Sequence, residues 1–216
     1  MGPAAPRSGP LGPAPPGPDI APIRSTAMAA LRVVGGEARG RALRAPKGHG
    51  TRPTSDRVRE AMFDVLTTMA AVDGAVVADL FAGSGALGIE SLSRGATRAW
   101  FVDHDKEAVA AIRANLLATG FEDRSHVVRS DVLRWLQHAP PLELVLCDPP
   151  YRYEHWPSLL AALRGVTGLV LTETGDRLDA GPGWEVLKAK RYGGTVVTVA
   201  RPVDQPAREA DRKGET

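Results

Sequence analysis

The chain has one cysteine, Cys147, which excludes an internal disulfide, and no neighbour in sequence activates the thiol, so it reads as a small core residue. Its five histidines are scattered without a ligand spacing such as i, i+4 on a helix. Neither a metal site nor redox chemistry is indicated. No stretch approaches the roughly 18 apolar residues of a membrane span, and the N-terminal segment lacks the apolar run of roughly 7 to 15 residues expected of a signal peptide. These absences predict a soluble, cytoplasmic protein.

What is present fits one domain of ordinary size: 216 residues, 43% hydrophobic and 24% charged. The net charge of +2 hides an asymmetry. Between Arg32 and Arg59 eight basic residues (Arg32, Arg39, Arg41, Arg44, Lys47, Arg52, Arg57, Arg59) stand against two acidic ones, Glu37 and Asp56. Such local excess suits a polyanion, although a solvated basic face reads the same way. Residues 1–30 hold eight of the eighteen prolines with little that can form a core, and are expected to be disordered. Met28, late in this stretch, offers a second possible start. Residues 31–53 read as a basic arm, with a small hairpin from Leu31 to Pro46 broken by Gly35-Gly36 and Gly40. The main domain is expected over 54–200, and 201–216 reads as a charged tail.

Thr54 or Ser55 can cap a helix whose apolar stripe is Val58, Ala61, Met62, Val65, Leu66 and Met69, with Arg57, Arg59, Glu60 and Asp64 facing elsewhere. From Val76 onward strand-like segments (76–81, 98–102, 126–129, 143–147, 168–172) alternate with helical ones (from Ala86, 105–117, 132–137, 156–163). Alternation at this spacing predicts an α/β fold, a mostly parallel sheet with helices on both faces. The chain then closes with strands 184–191 and 195–200 joined through Tyr192-Gly193-Gly194, a tight-hairpin signal that makes the last strand antiparallel. Seven strands in this order resemble the methyltransferase form of the Rossmann architecture.

Two motifs carry the chemistry. Asp79-Leu80-Phe81-Ala82-Gly83-Ser84-Gly85 leaves the first strand in a glycine-rich turn that lets backbone approach a ligand at a helix start. Gly83 to Gly88 also matches G-x-G-x-x-G, a weak discriminator on its own. Asp148-Pro149-Pro150-Tyr151 follows the apolar run 144–147, a buried strand that delivers Asp148 at its carboxyl end. The two prolines remove backbone donors, so the loop offers acceptors, which suit an amino group, while Tyr151 can stack the attached ring. The bland alternative is a stiff loop without chemistry.

The pairing of the two motifs resembles the amino-methyltransferases that use S-adenosylmethionine (SAM). Asp79 agrees with this: a carboxylate is unfavourable beside a pyrophosphate and favourable beside the cofactor's ammonium and sulfonium. Asp103, ending the second strand, is placed for ribose hydroxyls, and Asp131, after the third, for the adenine amino group. Each of these acids also suits a cap or turn, and Asp105 reads as a helix N-cap. Phe81, Ala82, Ser84, His104 and Val132 flank these positions and complete the candidate cofactor set.

Over roughly Arg32 to Val199 the chain resembles the RsmD family, bacterial enzymes that methylate N2 of one guanine in 16S ribosomal RNA. The resemblance rests on Arg32-Val33-Val34-Gly35-Gly36, Arg39-Gly40-Arg41, the segment 50–61 (GTRPTSDRVREA), Asp79 to Ala96, Asp148 to Tyr151 and Tyr192 to Thr195. It implies that Asp148 to Tyr151 receive the guanine amino group and that Gly83, Gly85, Asp103 and Asp131 hold SAM. With ribosomal RNA as the polyanion, the basic excess makes Arg32, Arg39, Arg41, Arg44, Lys47, Arg52 and Arg57 the expected RNA contacts, and the 30S subunit or an assembly intermediate the expected partner of a monomeric enzyme. Two other readings stay open: a DNA adenine- or cytosine-amino methyltransferase, and a non-catalytic RNA-binding assembly factor of the same fold.

Overall fold

The computed structural model describes residues 1–2, 31–46, 56–150 and 152–203. The expectations placed on the rest of the proline-rich extension, on Lys47, Arg52, Thr54, Ser55 and Tyr151, and on the C-terminal tail beyond Val203 lie outside the described residues.

Short runs of Val, Leu and Ala make the centre of the sheet. β1 (Val76–Leu80) and β4 (Leu144–Cys147) are buried along nearly their whole length, as parallel strands covered on both faces must be. β2 (Arg98–Asp103), β3 (Ser125–Arg129), β5 (Leu169–Thr174), β6 (Trp184–Tyr192) and β7 (Thr195–Pro202) complete a seven-stranded sheet in the order β3-β2-β1-β4-β5-β7-β6. Only β7 runs antiparallel to its neighbours, β5 and β6, so the expected hairpin at Gly193-Gly194 is present. This is the Rossmann-like methyltransferase fold.

Period-two alternation divides the sheet into two cores. Val77, Phe101, Leu144, Leu146, Leu171, Val197 and Val199 pack against α1 (Asp56–Thr68), α2 (Ala86–Ser93), α3 (Lys106–Thr119) and residues of the N-terminal arm. Ala78, Leu80, Val102, Val145, Cys147 and Val170 face the other way, under α4 (Val132–Leu136) and α5 (Trp156–Ala162). Gly88 of α2 shows how close the first layer lies: a Cβ there would stand 2.3 Å from Phe101 Cε1. The third glycine of the pattern therefore serves helix-on-strand packing.

Residues 31–46 form a small hairpin, as expected. Arg32 pairs with Ala42, and the backbone bonds Val33 N–H to Arg41 O (3.0 Å) and Leu43 N–H to Leu31 O (2.7 Å) hold it. It lies on α2. The Ala38 N–H donates to Ser93 Oγ (2.9 Å), the Ser93 hydroxyl donates to Gly35 O (2.6 Å), and the Val34 N–H donates to Glu90 Oε2 (2.8 Å).

One expectation for α1 is corrected. Arg59 does not face away from the core but is 1% exposed, and the buried set is Arg59, Met62, Phe63, Val65 and Leu66. Its guanidinium donates to Asp56 Oδ1 (2.8 Å) and the Arg32 carbonyl, and its Nε lies 3.9 Å from the fully buried Glu90. Arg94 donates to the other Glu90 oxygen (2.8 Å). Arginine is tolerated in the interior because oxygens from the arm, α1 and α2 surround it.

Candidate active site

The sheet reverses its winding between β1 and β4. From β1 the chain moves outward through β2 to β3, then returns to β4 and continues the other way. At such a point the two loops beyond the strand ends part and leave a crevice. In register, Leu80 lies opposite Cys147, so the chain enters the glycine loop and the Asp-Pro-Pro loop side by side. Both line one cleft of about 1430 Å³, ample for a cofactor and a second ligand together.

On the β1 and β2 side the cleft is lined by Asp79, Phe81, Ala82, Gly83, Ser84, Asp103 and His104. Phe81 turns the chain with φ +59, the left-handed region that non-glycine residues avoid, and such strain gathers at ligand-binding turns. Asp103 braces the loop: its Oδ2 accepts from the Gly83 N–H (2.8 Å) and its Oδ1 from the Asp105 N–H (2.9 Å). Each oxygen retains a lone pair for a further donor. Asp79 is 1% exposed and accepts from the Gly88 N–H (2.8 Å). Burial pushes its carboxyl well above the usual carboxylate range; the Gly88 bond opposes this, and the nearby Asp148 and Asp103 charges add to the rise. Burial likewise raises the Cys147 thiol, with Asp148 and Asp79 adding to it, which leaves it unreactive.

Asp148, Pro149 and Pro150 line the same cleft beside the glycine loop. The Tyr153 N–H donates to Pro150 O (2.9 Å) and closes the turn. Behind it stands an aromatic group: Tyr153 meets Phe81 edge-on at 5.1 Å and Trp156 at 5.5 Å. Burial raises the Tyr153 hydroxyl's pKa, with smaller contributions from Cys147 and Asp131. The far wall comes from Glu173 to Asp179 and from Tyr192 to Thr195, and Arg57 and Pro46 close the arm side.

The family model described as conserved hypothetical protein 95 matches residues 31–201. A Haemophilus influenzae protein, ribosomal RNA small subunit methyltransferase D, is 34% identical over 174 residues, which span 76% of this chain and 89% of that protein. The Escherichia coli protein of the same name is 42% identical over 123 residues, spanning 56% of this chain and 61% of that one. The solved structure of the putative methyltransferase yhhF from Escherichia coli superposes with a TM-score of 0.71 at 31% identity, covering 82% of this chain and 99% of that one.

The chain belongs to the RsmD family.

Three of the expected cofactor residues of this RsmD-family chain stand away from the cleft lining. Gly85 caps α2 at φ +76, and a Cβ there would meet Phe101 and Ile112 at 3.2 Å, so its neighbours are core side chains. Asp131 is exposed and caps α4, accepting from the Arg134 N–H (3.0 Å). Val132 is buried in the second core. Of the expected RNA contacts, Arg32, Arg39, Arg41 and Arg44 of the arm and Arg57 of α1 are exposed, and Arg32 pairs with Asp56 at 3.1 Å. Sequence reasoning missed Trp156 and Glu173, which line the cleft from α5 and β5. Trp156 lay within reach, since it follows the Asp-Pro-Pro motif closely. Glu173 comes from a strand two positions away from β1 in the sheet, and no local pattern marks it.

Proposed function

We propose that this chain is a SAM-dependent methyltransferase that modifies the exocyclic N2 of a guanine in small-subunit ribosomal RNA. The names of its relatives support ribosomal RNA of the small subunit as substrate. The observation that carries the chemistry is that Asp148-Pro149-Pro150 and the glycine loop leave neighbouring strands and line one cleft, together with Asp79 and Asp103.

The residues present fit the cofactor. Asp103 places a carboxylate, and Asp79 a carboxyl that a neighbouring cation would favour in its ionised form, where a pyrophosphate is unfavourable, and Asp103 has acceptor capacity left for ribose hydroxyls. When bound, SAM supplies an electrophilic methyl group. Asp148 and the carbonyls beside the two prolines accept hydrogens from the amine, which turns its lone pair out of conjugation and towards the cofactor side of the cleft. Tyr151 stacks the flipped base in this reading. Arg57 and the exposed arginines of the hairpin contact backbone phosphates on the arm side.

The test is methyl transfer from labelled SAM to ribosomal RNA or 30S particles isolated from a strain lacking the gene, with the product nucleoside identified by mass spectrometry. N2-methylguanosine is expected. A labelled product on another base overturns the guanine assignment, and no transfer with either substrate overturns the function.

A further inference from the structure

The basic hairpin and the cofactor loop are joined through one side chain. Asn115 of α3 is 1% exposed. Its Nδ2 donates to the carbonyl of Arg44 (2.9 Å) and to the carbonyl of Ser84 (2.8 Å), while its Oδ1 accepts from the Arg44 N–H (2.7 Å). Both amide hydrogens are used. A flipped amide would set its NH2 against the Arg44 N–H and its oxygen against the Ser84 carbonyl, so the partners fix its orientation. The backbone of Arg44 belongs to the arm, and its side chain is exposed. Ser84 belongs to the turn lining the cofactor side of the cleft. The two segments lie forty residues apart in sequence and share this one amide.

Satisfying buried backbone groups would explain such an amide if all its partners belonged to one segment. Here it bridges two, each placed against a different ligand under the function proposed above. A displacement of residue 44 would therefore act through this amide on the Ser84 carbonyl, in the turn that Asp103 also holds at Gly83.

We infer that Asn115 is a positioning residue that couples RNA binding by the arm to cofactor binding by the glycine loop. RNA held on the exposed Arg44 side chain fixes the backbone of residue 44, and through Asn115 the Ser84 carbonyl, in the geometry that accepts cofactor. By linkage, bound cofactor tightens RNA by the same factor. The inference rests on the reading of the chain as a SAM-dependent RNA methyltransferase.

The experiment measures the affinity of S-adenosylhomocysteine, which binds without turnover, for the full chain alone and with a saturating small-subunit rRNA fragment. In the wild type RNA should tighten S-adenosylhomocysteine about 5-fold or more, the lower end of ordinary coupling. Asn115→Ala, and Asn115→Asp, which keeps the shape and the acceptor but loses both donations, should reduce that factor below about 2-fold with melting still cooperative. A purely structural role lowers the melting temperature and leaves the ratio alone. If these variants do not fold, Arg44→Ala keeps the backbone pairing, removes the phosphate contact at the tied residue, and should lower the ratio too. A wild-type ratio near one, or folded variants that keep the wild-type ratio, overturns the coupling. Failure of S-adenosylhomocysteine to bind under any condition instead overturns the cofactor assignment, so the two failures are distinguishable.

Discussion

A cation that reaches Asp79 should displace a proton wherever the pH lies below the raised pKa of its carboxyl. In the free protein burial holds this carboxyl above the usual carboxylate range, whereas an ammonium or sulfonium beside it favours the ionised form. SAM binding should therefore release a proton at pH values below the raised value, and affinity should climb as pH rises towards it and level off above. Calorimetry in buffers of different ionisation enthalpy checks this: the dependence should vanish in Asp79→Asn, and a wild type that shows none counts against Asp79 as the cation's partner. The same shift acts on folding. Because the folded pKa lies above the unfolded one, the contribution to stability is fully present below the ordinary carboxylate range and is lost as pH rises through the folded value. Under the proposed function Asp148 receives the acceptor amine. Asp148→Ala should lower methyl transfer at least about 10²-fold while leaving cofactor affinity nearly intact, since it orients the amine; near-normal turnover would remove it from the mechanism. At this scale the sequence was most legible where a motif sits at a strand end. Asp79, Asp103 and Asp148 could be placed because apolar runs mark where their strands stop. Asp131 follows its strand in the same way, yet caps α4, because a strand-end acid followed by a helix start satisfies both patterns and sequence does not choose between them.

The elements around the cleft are held by contacts that local patterns do not show. The stripe read for α1 named Met62, Val65 and Leu66 correctly but passed over Phe63 and assigned Arg59 to solvent. A charged residue at position 59 is polar by any periodicity rule. What makes it interior is a set of oxygens from the arm, from one turn earlier in α1, and from Glu90 on α2. Glu90 is the hub, taking Arg94 on one oxygen and the Val34 N–H on the other. Removing it takes a carboxylate from beside the buried Arg59 and leaves Arg94 and the Val34 N–H without this acceptor, so Glu90→Ala should cost about 3–5 kcal/mol of stability, read as a drop in the denaturation midpoint. A cost of less than about 1 kcal/mol would mean that water or another acceptor replaces it. Strand boundaries, by contrast, were legible to within a residue or two, since Gly, Pro and Asp bracket each apolar run; β5 extends past Thr172 because β7 continues to pair with it.

For the whole molecule, alternation of strand and helix announced the doubly wound sheet, and Gly193-Gly194 announced the reversed last strand. The placing of β4 beside β1 could not be read from any one segment, yet it brings the two motifs into one cleft. The arm flanks this cleft through Pro46, next to Arg57 of α1, and carries Arg39 and Arg41 at the turn of its hairpin, exposed on either side of Gly40. Neither lines the cleft, which allows RNA and cofactor binding to be separated. Each arginine that neutralises a phosphate adds a salt-dependent, sequence-independent share of affinity, so the double substitution Arg39→Glu with Arg41→Glu should weaken binding to ribosomal RNA. It should also flatten the slope of log affinity against log salt by about one to two, one for each phosphate no longer neutralised. Cofactor affinity measured without RNA should stay unchanged, and so should the melting temperature, because neither side chain is buried. A variant that binds the RNA as tightly as wild type across a salt titration would make this end of the hairpin a solvated basic surface and leave phosphate binding to Arg44 and Arg57, closer to the cleft.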